Sequence, residues 1–199
     1  MSQANVTRGA TADRNDALPY DVDVLRLGHR LVRDARMSTH VGLVARALGA
    51  RSLIISGADD ETVDSLRRVA ERWGGNFEVA FTKSWRETIK KHAGIVVHLT
   101  MYGERLDDCL KRIRENLQLP EDSSKRKRVL IVIGAEKVPS EIFQIADYNV
   151  AVGSQPHSEI AALAVFLDRL FMGEELYYRF DKAKIRIVPK AKGKHVEVL

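Results

Sequence analysis

The chain has 199 residues, with 32 Lys+Arg against 27 Asp+Glu, 45% hydrophobic and 30% charged residues, which is the profile of one ordinary globular domain. A chain of this size buries roughly 70% of the surface that its unfolded form exposes, so folding needs neither disulfides nor a structural metal; the single cysteine, Cys109, excludes an internal disulfide and a Cys-rich zinc site. No apolar run reaches the roughly 20 residues of a membrane span and no signal peptide opens the chain, so the composition reads as cytoplasmic.

Residues 1–20 carry two arginines and two aspartates among small polar residues and read as a mobile N-terminal extension. Residues 21–199 read as a single domain with a basic C-terminal extension over about 180–199. Short β-branched runs then alternate with segments of helical period. The first strand is Val22–Leu27, followed by a helix over Ser38–Leu48 opened by Ser38 or Thr39. The second strand, Ser52–Ser56, precedes a helix that begins at Asp59-Asp60-Glu61 and stops at Trp73, before Gly74-Gly75. Phe77–Thr82 is the third strand, and Ser84-Trp85-Arg86-Glu87 is a capping box. Ile95–Leu99 is the fourth strand, Glu104–Leu117 a charged surface helix, and Gln118–Lys127 a polar linker. Val129–Ile133, apolar at every position, suits a strand covered on both faces. A short helix over Pro139–Ala146 leads to the sixth strand, Tyr148–Val152. The helix Ser158–Phe171 is apolar around most of its circumference, which implies burial or a subunit interface, and Ile185–Val188 with Val196–Leu199 can form a terminal strand pair.

This order predicts an α/β fold with a mainly parallel sheet flanked by helices, whose ligands bind beyond the carboxyl ends of the strands. Three segments follow such ends: Leu99–Gly103, Gly134–Pro139 and Gly153–Glu159. All are rich in small or turn-forming residues, which suits backbone approach to a small molecule and equally suits tight turns. Arg26–Arg36 holds four arginines and one acid, and Lys182–Lys194 six basic residues and no acid. Either patch fits a phosphate-rich partner or a solvated basic face, and Lys125–Arg128 is a third of the same kind. Dinucleotide and P-loop glycine motifs are missing, as are H-E-x-x-H and G-x-S-x-G; the six histidines are scattered without metal-ligand spacing, so no metal is expected.

The stretches Leu25-Arg26-Leu27-Gly28-His29-Arg30, Arg33-Asp34, Thr39-His40-Val41, Ala45-Arg46-Ala47, Arg72–Gly75, His98–Gly103, Gly134–Pro139, Ala146–Val150, Gln155–Glu159, Ala161–Ala164 and Leu167–Arg169 carry a resemblance. Together they resemble the archaeal tRNA cytidine-56 2'-O-ribose methyltransferases, over residues 22 to about 190. That family belongs to the SPOUT class, and the resemblance implies a C-terminal trefoil knot, a homodimer, tRNA as partner and S-adenosylmethionine (SAM) as cofactor. The implied cofactor site is Leu99, Gly134, Ala135, Glu136, Lys137, Val138, Val152, Gly153, Ser154, Gln155, Pro156, His157, Ser158 and Glu159. Ribose-methylating members of the wider class carry N-x-x-x-x-x-R on the first helix. Here His40 to Arg46 occupies that frame, with His40 in place of the asparagine, which makes Arg46 and His40 the implied catalytic pair. An arginine is too basic to take a proton from a hydroxyl, so Arg46 is expected to stabilise the developing alkoxide while His40 or a phosphate oxygen accepts the proton. Arg26, Arg30, Arg33 and Arg36 are the implied tRNA contacts, and the apolar helix Ser158–Phe171 is the expected dimer core. Two other readings stay open: a SPOUT enzyme acting on another tRNA or rRNA nucleotide, and a non-catalytic RNA-binding module of the same fold.

Overall fold

In the computed structural model, residues 18–28, 35–57, 60–118, 128–134 and 138–199 are described. Six parallel strands alternate with helices: β1 (Asp21–Leu27), α1 (Ala35–Ala47), β2 (Ser52–Ser56), α2 (Asp60–Trp73), β3 (Glu78–Thr82), α3 (Trp85–Lys91), β4 (Ile95–Arg105), α4 (Leu106–Leu117), β5 (Arg128–Gly134), α5 (Ile142–Ile145), β6 (Tyr148–Ala151) and α6 (Glu159–Phe171). The chain ends in an antiparallel hairpin, β7 (Ile185–Ile187) and β8 (Val196–Val198), the terminal strand pair expected from sequence.

The sheet runs β3-β2-β1-β5-β4-β6. Every pairing in it is parallel, so all strands end at one edge and every crossover helix returns to the other. Side chains alternate between the two faces. On β5, Val129, Ile131 and Ile133 join the larger core beneath α1, α2, α4 and α6, whereas Leu130 and Val132 join a smaller core with Ile89 of α3 and Ile142 of α5. All five are buried, as a strand apolar at every position requires.

The packed chain begins before residue 21. Tyr20 stacks on Phe171 with ring centroids 6.3 Å apart, and Leu18 packs against the larger core, so these residues are not part of a free extension. Residues 1–17 lie outside the described residues. The capping box at Ser84 is half formed: its Oγ accepts from Glu87 N at 3.3 Å, while the Glu87 carboxylate turns away to Lys91 at 3.2 Å. β4 extends to Arg105, six residues past the expected end, and displaces the start of α4 to Leu106.

A candidate binding pocket at the strand ends

The extra length of β4 builds the pocket wall. Leu99 and Glu104 both register with Val150 of β6, so residues 100–103 leave the ladder and return to the same place. Gly103 closes this excursion because a Cβ there would stand 2.4 Å from the Asn149 carbonyl oxygen. Beyond it opens a cavity of about 870 Å³, lined by His98–Tyr102 of β4, Gly134 at the end of β5, Val138, Pro139, Ser140 and Phe143 around α5, and Val152, Pro156, His157, Glu159 and Ala162 from β6 into α6. The three strand-end segments singled out in the sequence therefore meet at one place.

Of the expected cofactor residues, Leu99, Gly134, Val138, Val152, Pro156, His157 and Glu159 line this cavity. Gly153 and Ser154 line an adjoining crevice of about 440 Å³ with Met101, Gly103 and Val165. Ser158 caps α6, its Oγ accepting from Ile160 N at 3.2 Å, and Gln155 is exposed beside it. Ala135, Glu136 and Lys137 lie outside the described residues. Thr100, Met101, Tyr102 and Pro139 fall within the strand-end segments singled out in the sequence but not within the narrower cofactor set, and His98, Ser140, Phe143 and Ala162 fall within neither. His98 opens the unusual string His98–Gly103, which marks the stretch without showing the part this side chain plays.

Glu159 sits in the first turn of α6, where a carboxylate suits the positive end of the helix dipole. Its Oε1 also meets Arg26 Nη2 at 3.3 Å, and Arg26 Nη1 donates to Ser38 Oγ of α1 at 2.8 Å. Arg26 is 0% exposed. It occupies the β1 face shared with Val22 and Val24, under α1 and α6, so it cannot contribute to an open phosphate-binding surface, and the expectation that it contacts tRNA is corrected on that ground. It braces a pocket carboxylate instead. Arg36 is exposed at the start of α1, while Arg30 and Arg33 lie outside the described residues.

His40 and Arg46 are not brought together. Six positions along a helix turn the side chain by about 600°, leaving the two roughly 120° apart around α1; His40 is exposed and Arg46 is buried. Arg46 lies in the last turn of α1, about 16 Å along the axis from its start. That places it at the sheet edge opposite the pocket. There Nη2 donates to the Gly74 carbonyl at 2.6 Å and the guanidinium stacks 4.3 Å above the Phe180 ring. Burial lowers its pKa from the ordinary arginine value. Within this chain Arg46 stands away from the pocket and fastens the C-terminal segment to the helices.

That segment is held at the same far edge, by Gly75 N donating to Asp181 O at 2.7 Å and Lys184 N to Arg72 O at 3.0 Å. The basic hairpin thus lies at the sheet edge opposite the carboxyl end of β1, where the pocket opens. The helix Ser158–Phe171 owes its apolar character to the core of its own chain, where Ala162, Leu163, Phe166, Leu167, Leu170 and Phe171 are buried. Burial also pushes the Cys109 thiol up, consistent with a packing role.

Residues 73–197 match the family described as tRNA ribose 2'-O-methyltransferase, aTrm56. The chain is 54% identical over 177 residues to the tRNA (cytidine(56)-2'-O)-methyltransferase of Methanocaldococcus jannaschii, an alignment covering 88% of this chain and 95% of that one. This chain belongs to the aTrm56 family. The corresponding protein of Thermococcus kodakarensis is 53% identical, with 88% and 96% covered. The family fold is shared with more distant methyltransferases. An RNA 2'-O ribose methyltransferase superposes with a TM-score of 0.53 at 16% identity, over 83% of this chain and 61% of that one. The SpoU methyltransferase AviRb from Streptomyces viridochromogenes, solved with AdoMet, gives 0.50 at 16% identity, over 82% and 63%. The aTrm56 chain accordingly has a methyltransferase fold whose large pocket lies where an open parallel sheet places ligands.

Proposed function

We propose that this chain transfers a methyl group from SAM to the ribose 2'-hydroxyl of cytidine 56 in tRNA. Identity above one half along nearly the whole length of enzymes so named carries this reading. The pocket fits the cofactor in size and character: about 870 Å³ lies within the range of small-molecule sites, and its wall combines apolar Leu99, Val138, Phe143, Val152 and Ala162 with few polar groups. SAM, when bound, supplies a methyl group activated on a sulfonium. The three strand-end segments fix its position, and their attachment to parallel strands orders the site before the ligand arrives. We retain Ala135, Glu136 and Lys137 among the cofactor-binding residues, as the resemblance implies.

The ribose hydroxyl loses its proton as its oxygen takes the methyl group. Of the two catalytic residues implied by the sequence, only His40 is exposed to a substrate, so we assign proton acceptance to His40. RNA approaches the start of α1, where Arg36 is exposed and to which Arg30 and Arg33 are close in sequence. The protein acts in the cytoplasm with its tRNA. No helix among the described residues is long and apolar enough to cross a membrane.

We also propose a homodimer and the trefoil knot of the class. Support for the dimer comes from the outer stripe of α6, where Ala161, Val165, Arg169 and Met172 are exposed beside the crevice holding Gly153 and Ser154. Support for the knot comes from the convergence of the 100–103 excursion, the end of β5 and the chain leaving β6 around a single pocket.

The test is incubation of the purified protein with SAM and an unmodified tRNA transcript, followed by nuclease digestion and mass spectrometry. A ribose methyl group at cytidine 56 is expected. A methyl group elsewhere replaces the substrate assignment, and no transfer despite SAM binding overturns the tRNA reading.

A further inference from the structure

Among the described residues, His98 is the one histidine buried in the sheet, 1% exposed and flanked in β4 by core residues Val97 and Leu99. Its tautomer is fixed by a chain of hydrogen bonds. Asn149 Nδ2 donates to the Phe143 carbonyl at 2.9 Å, which orients the amide so that Oδ1 faces His98 Nδ1 at 2.8 Å. An amide oxygen only accepts, so Nδ1 carries the proton. Burial, outweighing the Asn149 bond, lowers the pKa and keeps the ring neutral. The other nitrogen, Nε2, is therefore a lone-pair acceptor. It is buried and has no hydrogen-bond partner. An acceptor left this way is costly unless something else satisfies it. His98 lines the large pocket, and so does Phe143, whose ring stands edge-on to the imidazole at 4.8 Å.

We propose that His98 Nε2 accepts a hydrogen bond from an N–H or O–H group of the bound cofactor, making His98 a binding residue whose tautomer Asn149 sets. The proposal rests on reading the pocket as the SAM site. It adds what the strand-end segments alone do not supply, a side chain that demands a donor at one position of the ligand and rejects an analogue lacking it. Three bonds act in series: Phe143 O orients Asn149, Asn149 orients His98, and His98 reads the ligand.

Calorimetry of S-adenosylhomocysteine on the full chain tests this, with wild type, His98→Phe and Ser140→Trp, the last blocking a pocket-lining position. Four analogues each remove one donor: N6,N6-dimethyl, 2'-deoxy, 3'-deoxy and deamino. His98→Phe is expected to weaken binding about tenfold. One analogue should lose about the same factor on wild type and almost nothing further on His98→Phe, which names the donor. In wild type, the unprotonated ring nitrogen of His98 should move upfield in 15N spectra on binding, a shift that packing alone does not produce. Binding to His98→Phe within twofold of wild type, equal behaviour of all four analogues on both proteins, or an unmoved Nε2 signal each overturns the proposal. If wild type and Ser140→Trp bind alike, or wild type does not bind, the pocket reading itself fails and takes the proposal with it.

Discussion

Arg46→Ala separates a structural arginine from a catalytic one. The substitution removes a charged hydrogen bond to the Gly74 carbonyl at 2.6 Å, worth about 1.5–3 kcal/mol, and a guanidinium stacked at 4.3 Å on Phe180, worth about 0.5–2 kcal/mol. Arg46 Nε has no partner although buried, and this offsets part of the gain. The net loss is therefore about 2–4 kcal/mol, or a fall in Tm of about 5–15 °C for a domain of this length. Arg46→Lys should recover little, since an ammonium cannot both stack on the ring and reach the carbonyl in the same plane. The assays are thermal and urea unfolding with calorimetric SAM binding on the same preparations. At a temperature where the variant is folded, SAM affinity and methyl transfer should stay within about twofold of wild type. A variant with wild-type Tm and no transfer would refute this reasoning and return Arg46 to the chemistry.

Gly74→Ala should cost at least about 2 kcal/mol, because φ is +80° and the new Cβ would stand 2.5 Å from Asp181 O and 2.6 Å from Ala183 N, both main chain; faster tryptic cleavage among the lysines after Asp181 would report it. Glu175 is buried, and burial first, then the charge of Asp168, pushes its pKa up. Folding then binds a proton that the unfolded chain has released, so stability is highest below the unfolded carboxyl pKa of about 4.3 and falls as pH rises through the folded value. Glu175→Gln should raise Tm at pH 8 by about 2–4 °C and have a smaller effect at pH 4, measured by calorimetric melts. Val165→Glu should convert a dimer to monomers in sedimentation and lower Tm only by what assembly contributes, because Val165, 42% exposed, packs little within its own chain. Ala162 cannot serve for that test: it is 6% exposed and lines the pocket, so its loss would confuse binding with assembly.

Much of the fold was legible because strands and helices differ in period. β5 announced its place through Val129–Ile133, apolar at every position, and the charged α4 announced its surface face. Two site expectations came from reading patterns without that geometry. Arg26 looked like the first of a basic cluster, yet it alternates with Val22 and Val24, and the period of two already assigned it to a buried face. Arg46 was placed by a spacing borrowed from a wider class. The spacing says nothing about helix length, and a helix ending at Ala47 carries that residue to the far edge of the sheet. The extension of β4 was not legible: a glycine between strand and helix reads as a turn, and only the pairing with β6 reveals a strand that leaves its ladder and resumes. His98 was hidden for a related reason, since its importance lies in the amide of Asn149, 51 residues away.

The excursion over residues 100–103 bears on how a ligand would be held. A lid is anchored at hinges and gains order when it closes, so part of each binding event goes into restricting it. Here both ends of the segment are sewn into β4 against the same residue of β6, and Gly103 admits no side chain between the strands. The disorder such a segment can lose on binding has already been lost in folding. Entropy measured on ligand association should therefore reflect the ligand and its released water far more than this wall, and the amides along the excursion should exchange with solvent at similar rates with the pocket empty or filled.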